Sequence, residues 1–132
     1  MKTNFTKLIS AARRARQTAY APYSKYRVGA AVLAKSGKVY TGCNIENAAY
    51  PSGLCAERVA IFKGVSEGER EFVALAVATS NLGSPCGACR QVLSEFADDD
   101  VLIALATVRG NRRKIFSMQE ILPDRFGPKH LK

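Results

Sequence analysis

Three cysteines and one glutamate, set as Cys55-Ala56-Glu57 and Pro85-Cys86-Gly87-Ala88-Cys89, limit this chain's fold more than any other feature. A C-x-x-C alone has three readings: a redox pair, half of a structural zinc site, or half of a catalytic one. Residues three apart on a helix sit on neighbouring sides of one turn, so both sulfurs can face one point. Pro85 suits the first turn of such a helix. A helix N-terminus also carries partial positive charge and free N–H groups that stabilise thiolates. Cys55 falls at a second expected helix start. Two helix N-termini bearing three thiols can converge on one zinc ion and leave a fourth position for water, the pattern of catalytic zinc.

Zinc lowers the pKa of bound water to roughly 7, and something must then carry protons. Glu57 is the candidate. Positions 55 and 57 do not share a helix face, so both serve one site only if metal and substrate lie near the end of the helix axis. Three thiolates on Zn²⁺ leave a net negative site, and Arg58, three residues after Cys55, is placed to donate to the sulfurs. A solvated surface arginine is the bland alternative. A structural zinc would need a fourth ligand from Cys43 or the only histidine, His130. Cys43 reads as a small strand hydrophobe, and His130 as a solvated residue near the C-terminus. A redox pair leaves Cys55-Ala56-Glu57 without a purpose.

The rest of the sequence frames this site. The 132 residues suit one domain, expected to span 1–132. Apolar residues make up 47% and charged residues 23%, which argues against disorder. No apolar run approaches the ~20 residues of a membrane helix. Met1 to Phe5 does not open a secretory signal, so a cytoplasmic location is expected. There, four cysteines favour thiol or metal chemistry over disulfides.

Residues 4–19 read as an amphipathic helix ended by Pro22. Val28–Ala34 and Val39–Ile45 read as strands joined by a turn at Ser36-Gly37-Lys38. A helix is expected over Leu54–Val65, capped by Ser52 or Gly53. Phe72–Ala78 and Val101–Val108 read as buried strands, separated by a helix from Cys86 to about Phe96. A strand at Lys114-Ile115-Phe116 leads to a capping box, Ser117 to Glu120, that opens a last short helix. Helices alternating with buried strands imply an α/β fold: a three-layer α/β/α domain with a mixed sheet of about five strands.

The order and content of several motifs go further. Zinc deaminases of nucleobases carry an H-x-E…P-C-x-x-C signature with a glutamate that is not a ligand. Here Cys55-Ala56-Glu57 takes the first half. Together with Ala21-Pro22-Tyr23-Ser24, Val28-Gly29-Ala30-Ala31, Gly42-Cys43-Asn44-Ile45-Glu46-Asn47, Cys86-Gly87-Ala88-Cys89-Arg90-Gln91 and Leu122-Pro123, the chain resembles the small, homotetrameric cytidine deaminases. The resemblance implies one zinc per subunit on Cys55, Cys86 and Cys89. It implies hydrolytic deamination of cytidine and 2′-deoxycytidine in pyrimidine salvage, by zinc-bound hydroxide with Glu57 as proton shuttle. It also implies that Asn44 and Glu46 hold the ribose 3′-hydroxyl. Tyr26, where many relatives have Phe, would pack against the base. Backbone near Ala56 and Pro85 would read the pyrimidine edge. Tyr50 and Phe126 would complete a neighbouring subunit's site.

The net charge of +9 raises one rival, cytosine in a polynucleotide. Arg109, Arg112, Arg113 and Lys114 form one basic cluster, and Arg13, Arg14 and Arg16 another. Against it stand the Asn44/Glu46 pair, suited to a free sugar hydroxyl, and the lack of an added domain. Nucleic acid and membrane partners are therefore not expected. A cytosine-nucleoside antibiotic is a second rival substrate, and a non-catalytic zinc module a third reading.

Overall fold

The computed structural model describes residues 3–132. Five strands form one mixed sheet in the order β2-β1-β3-β4-β5. They are β1 (Gly29–Ala34), β2 (Val39–Cys43), β3 (Phe72–Thr79), β4 (Leu102–Thr107) and β5 (Arg113–Ser117). Only β3 and β4 run parallel; the other three pairs are antiparallel. Helix α1 (Phe5–Arg16) covers one face, while α2 (Ala56–Ser66) and α3 (Gly87–Glu95) cover the other. A four-residue α4 (Met118–Ile121) follows β5. This is the expected three-layer α/β/α arrangement.

Strand alternation sorts the core into two unequal halves. Ala31, Ala74, Ala76, Ala78, Ala104 and Ala106 face Leu8, Ile9, Ala11 and Ala12 of α1. The small side chains let this helix lie close. A Cβ at Gly29 would stand 2.0 Å from the Ala12 carbonyl oxygen. On the other face, Val32, Leu75, Val77, Ile103 and Leu105 pack with Ala60, Ile61 and Leu93 of α2 and α3. Phe72 joins this larger cluster although it shares parity with Ala74. The register shifts there, with Leu33 opposite Ala74 and Ala34 opposite Phe72, so Val73 is an extra residue that turns Phe72 over.

Several boundaries differ from expectation. Asn4 caps α1 by accepting from the Lys7 N–H (3.1 Å), and the helix stops at Arg16, before Pro22. Strand β2 ends at Cys43 because Ile45 leaves the hairpin and exchanges two backbone bonds with Leu54, at 2.9 and 3.0 Å. That bridge holds Leu54 extended, so α2 starts two residues later than expected. Its cap is Cys55, in place of Ser52 or Gly53. Likewise Cys86 is the N-cap of α3, with Pro85 outside the helix. The capping box at Ser117 and Glu120 is present as expected.

The sheet gathers the chemistry at one end. Gly29 lies opposite both Cys43 and Ala78, and Thr79 opposite Thr107. The loops before β1, after β2 and after β3 therefore leave from the same edge. The hairpin turn at Ser36-Gly37, where Gly37 has φ +96°, lies at the opposite end. Among the described residues no helix is long and apolar enough to cross a membrane.

Candidate active site

Helices α2 and α3 begin in the same way, each with a cysteine at the N-cap. Cys55 and Cys86 are both extended, and neither side chain caps its own helix. The third position of α3 is Cys89; the same position of α2 is Arg58. The sulfurs of Cys55, Cys86 and Cys89 all lie within 4.8 Å of one another. Cys86 to Cys89 is 3.3 Å and Cys55 to Cys86 is 3.9 Å. Arg58 Nη2 donates to Cys55 Sγ at 3.4 Å. The i, i+2 difficulty of Cys55 and Glu57 is relieved, because a cap residue lies at the end of the helix axis and not on a side of it.

Electrostatics shape this cluster strongly. The hydrogen bond from Cys89, helped by Arg58, pulls the Cys55 thiol down to about 5. Cys89, only 2% exposed, is pushed up by Cys55 and by burial, so it keeps its proton. Three sulfurs this close cannot all ionise without a cation between them, which is the condition a divalent metal meets. Soft sulfur donors at helix N-termini suit zinc. The site therefore fits one zinc ion held by Cys55, Cys86 and Cys89. Cys43 and His130 are not part of the cluster.

Glu57 follows in the first turn of α2 and is 5% exposed. Burial, with the Cys55 charge adding to it, pushes its carboxyl up to about 7. A carboxyl at that value both takes and gives protons near neutrality. Ala56 beside it is fully buried.

A hollow of about 430 Å³ opens next to the cluster. Cys55 and Arg58 line it, together with Tyr23, Ser24, Asn44, Glu46, Tyr50 and neighbouring residues of the same loops. Asn44 and Glu46 organise its wall. The Asn44 carboxamide donates to Tyr26 O (2.8 Å) and accepts from the Val28 N–H (2.9 Å). The Glu46 carboxylate accepts from the N–H groups of Tyr23 (3.0 Å) and Ser24 (3.1 Å) and from the Ser24 hydroxyl. These bonds, the Ser24 hydroxyl first, hold it below the usual carboxylate range. A carboxylate accepts about four hydrogen bonds, so Glu46 keeps capacity for a ligand hydroxyl. Tyr50 is 76% exposed on the rim, and its ring lies 6.0 Å from that of Tyr23. Of the residues expected at the site, Asn44, Glu46, Tyr50, Cys55 and Arg58 line the hollow, whereas Tyr26, Ala56, Glu57, Cys86, Cys89 and Phe126 do not. Phe126 is 56% exposed and stacks on His130. Gln91 Nε2 donates to its carbonyl at 2.9 Å.

Arg90, to which the sequence motifs give no role, fastens the loop that leads into Cys86. Its guanidinium donates to Pro85 O, Ser84 Oγ and Ile121 O at 2.7–2.8 Å. Its place directly after Cys89 was the available signal; the Ile121 partner, 31 residues on, was not readable. Arg58 Nε is the one buried side-chain nitrogen or oxygen without a partner among the described residues.

The family model for the cytidine and deoxycytidylate deaminase zinc-binding region matches residues 2–105. A cytidine deaminase from Sporosarcina psychrophila is 48% identical over 127 residues, covering 95% of this chain and 93% of that one. One from Halalkalibacterium halodurans is 48% identical over 121 residues, covering 90% and 91%. The crystal structure of cytidine deaminase from Burkholderia pseudomallei is similar at TM-score 0.87 and 43% identity, covering 94% of this chain and 100% of that one. The cysteine cluster, the buried glutamate and the sheet that carries them thus occur in a chain that belongs to the cytidine and deoxycytidylate deaminase family.

Proposed function

We propose that this protein hydrolytically deaminates cytidine and 2′-deoxycytidine to the uridine products, serving pyrimidine salvage. The observation that carries the reading is a buried carboxyl, Glu57, held near 7 beside three converging thiols. When bound, zinc supplies Lewis acidity and makes water acidic enough to attack near neutral pH. Glu57 takes a proton from the attacking water and delivers it to N3 of the base. Water oxygen bonds to C4, and the C4–N4 bond then breaks. Glu57 takes the remaining water proton from the C4 hydroxyl and gives it to the departing amino group, which leaves as ammonia while C4 becomes a carbonyl carbon. Arg58, donating to Cys55, offsets the negative charge of the thiolates.

Asn44 and Glu46 have a double duty in this reading. They build the loop wall and use their remaining capacity on the ribose 3′-hydroxyl. The Tyr26 ring packs against the base, and backbone at Ala56 and Pro85 meets its edge. A nucleoside fits better than a nucleotide, because among the described residues the hollow offers the Glu46 carboxylate and no cation except Arg58, already engaged with sulfur. Exposed Tyr50 and Phe126 suit a homotetramer in which each reaches a neighbour's site. Available thiols suit the cytoplasm, where cysteines stay reduced.

The test is the loss of cytidine absorbance with zinc-loaded protein, beside a Glu57→Gln variant. Wild type should turn over cytidine, and the variant should be slower by about 10²–10⁴-fold, the usual scale of general acid–base catalysis. It should still hold one zinc per chain. A folded, zinc-loaded wild type without turnover would overturn the assignment.

A further inference from the structure

Tyr26 makes a contact that base packing does not require. Its hydroxyl donates to Asn81 Oδ1 at 2.7 Å. Among the described residues this is the only hydrogen bond between the loop before β1 and the loop that leads from β3 to Cys86. Both loops are otherwise fixed from their own sides. Asn44 holds the Tyr26 carbonyl, and Ser24 Oγ accepts the Tyr26 N–H at 3.0 Å. Across the gap, Thr79 Oγ1 accepts from the N–H groups of Gly83 (2.9 Å) and Asn81 (3.4 Å). Leu82 is forced to φ +65° in this tight turn. Arg90 secures the far end at Ser84 and Pro85.

Gly83 completes the fit. A Cβ there would stand 2.2 Å from the Tyr26 hydroxyl oxygen, but 3.4 Å from the ring carbon that bears it. Removing the hydroxyl alone would turn a forbidden overlap into an ordinary contact. The short loop and the tyrosine are therefore matched in size as well as in hydrogen bonding.

We propose that Tyr26 is a positioning residue: its hydroxyl, clasped by Asn81 over Gly83, sets the substrate loop at a fixed distance from the Cys86–Cys89 turn. This rests on the deaminase reading above, since the distance matters because a base must meet the reacting water. Misplacement on the order of 1 Å can cost about 10²-fold in rate, and the clasp is what prevents it.

The experiment compares Tyr26→Phe, Gly83→Ala, the pair together, and Asn81→Ala, all in the zinc-loaded full chain. Tyr26→Phe and Asn81→Ala should each lower kcat by about three- to tenfold, with KM changed less than about twofold, as expected for lost orientation. Gly83→Ala should lower kcat by about tenfold or more. In the Tyr26→Phe background the same glycine substitution should cost less than about twofold, a strong coupling between neighbours. The thermal midpoint, and the thiolate absorption of the cobalt-substituted protein, should show the same rescue without any turnover. A glycine cost that is equal in both backgrounds by these two readouts overturns the clasp. If the rescue appears but kcat per bound zinc is unmoved by Tyr26→Phe and Asn81→Ala, the contact is structural only and the positioning role fails. A wild type inactive on cytidine would sink the deaminase assignment, and with it the positioning role. The size match would then be judged on midpoint and cobalt spectrum.

Discussion

At the scale of single residues, Glu57 carries a cost that the proposed proton transfer requires. Its carboxyl is buried and pushed up to about 7 from an ordinary 4.5. In the metal-free protein the folded state thus binds a proton more tightly than the unfolded state between those values. The stability tied to that proton is fully present below about 4.5 and is lost as pH rises toward about 7. Glu57→Gln removes the titration. The Cys55 thiol, pulled down to about 5, adds stability as pH rises through the same window. It is therefore the midpoint of the metal-free wild type relative to that of the variant that should fall with pH. Parallel slopes would mean that burial does not set the Glu57 carboxyl. The identity of these residues was legible because the chemistry is written in types and spacings: Cys-x-Glu and Cys-x-x-Cys. The Tyr26–Asn81 contact, 55 residues apart, has no such local signature.

At the scale of elements, the site depends on where two helices start, and a strand glycine sets one of them. A Cβ at Gly42 in β2 would stand 2.6 Å from Ala60 N and 2.7 Å from Ala56 O. Gly42→Ala should therefore push α2 off the sheet and carry Cys55 and Glu57 with it. We expect a stability loss of about 1–3 kcal/mol, typical of overpacking, together with weaker zinc retention against a chelator. Unchanged retention with lowered stability would separate the helix position from the metal cluster. Helix and strand identities were readable from apolar periodicity. The α2 start was not, because the Leu54–Ile45 bridge that delays it joins two segments with no common pattern. The Ser117–Glu120 box was readable because both of its bonds close within four residues.

At the scale of the whole molecule, the charge is unevenly spread. Residues 1–45 contain no acidic side chain, and none occurs between Asp100 and Glu120. Arg13 joins these two basic stretches by donating to Thr107 O (3.0 Å) and Gly110 O (2.8 Å). The described residues contain two ion pairs, Lys35–Glu71 and Arg125–Asp99. The excess charge thus lies mainly outside the hollow beside the cysteines. For an uncharged nucleoside, KM should change less than about twofold between 50 and 200 mM salt. A substrate held by many phosphate contacts would lose about 10³–10⁵ in affinity over that range. A steep salt dependence would bring the basic face into substrate binding.

The separation of the sheet's two ends has a practical side. Strand β1 runs six residues from the site end to the Ser36-Gly37 turn, a span of about 20 Å at ~3.3 Å per residue. Ser36, Gly37 and Lys38 are all exposed there, and attachment at Lys38 avoids the left-handed backbone of Gly37. An affinity tag or reporter dye attached at this turn would ride far from the reacting groups, and the enzyme could be tethered or labelled there while it works.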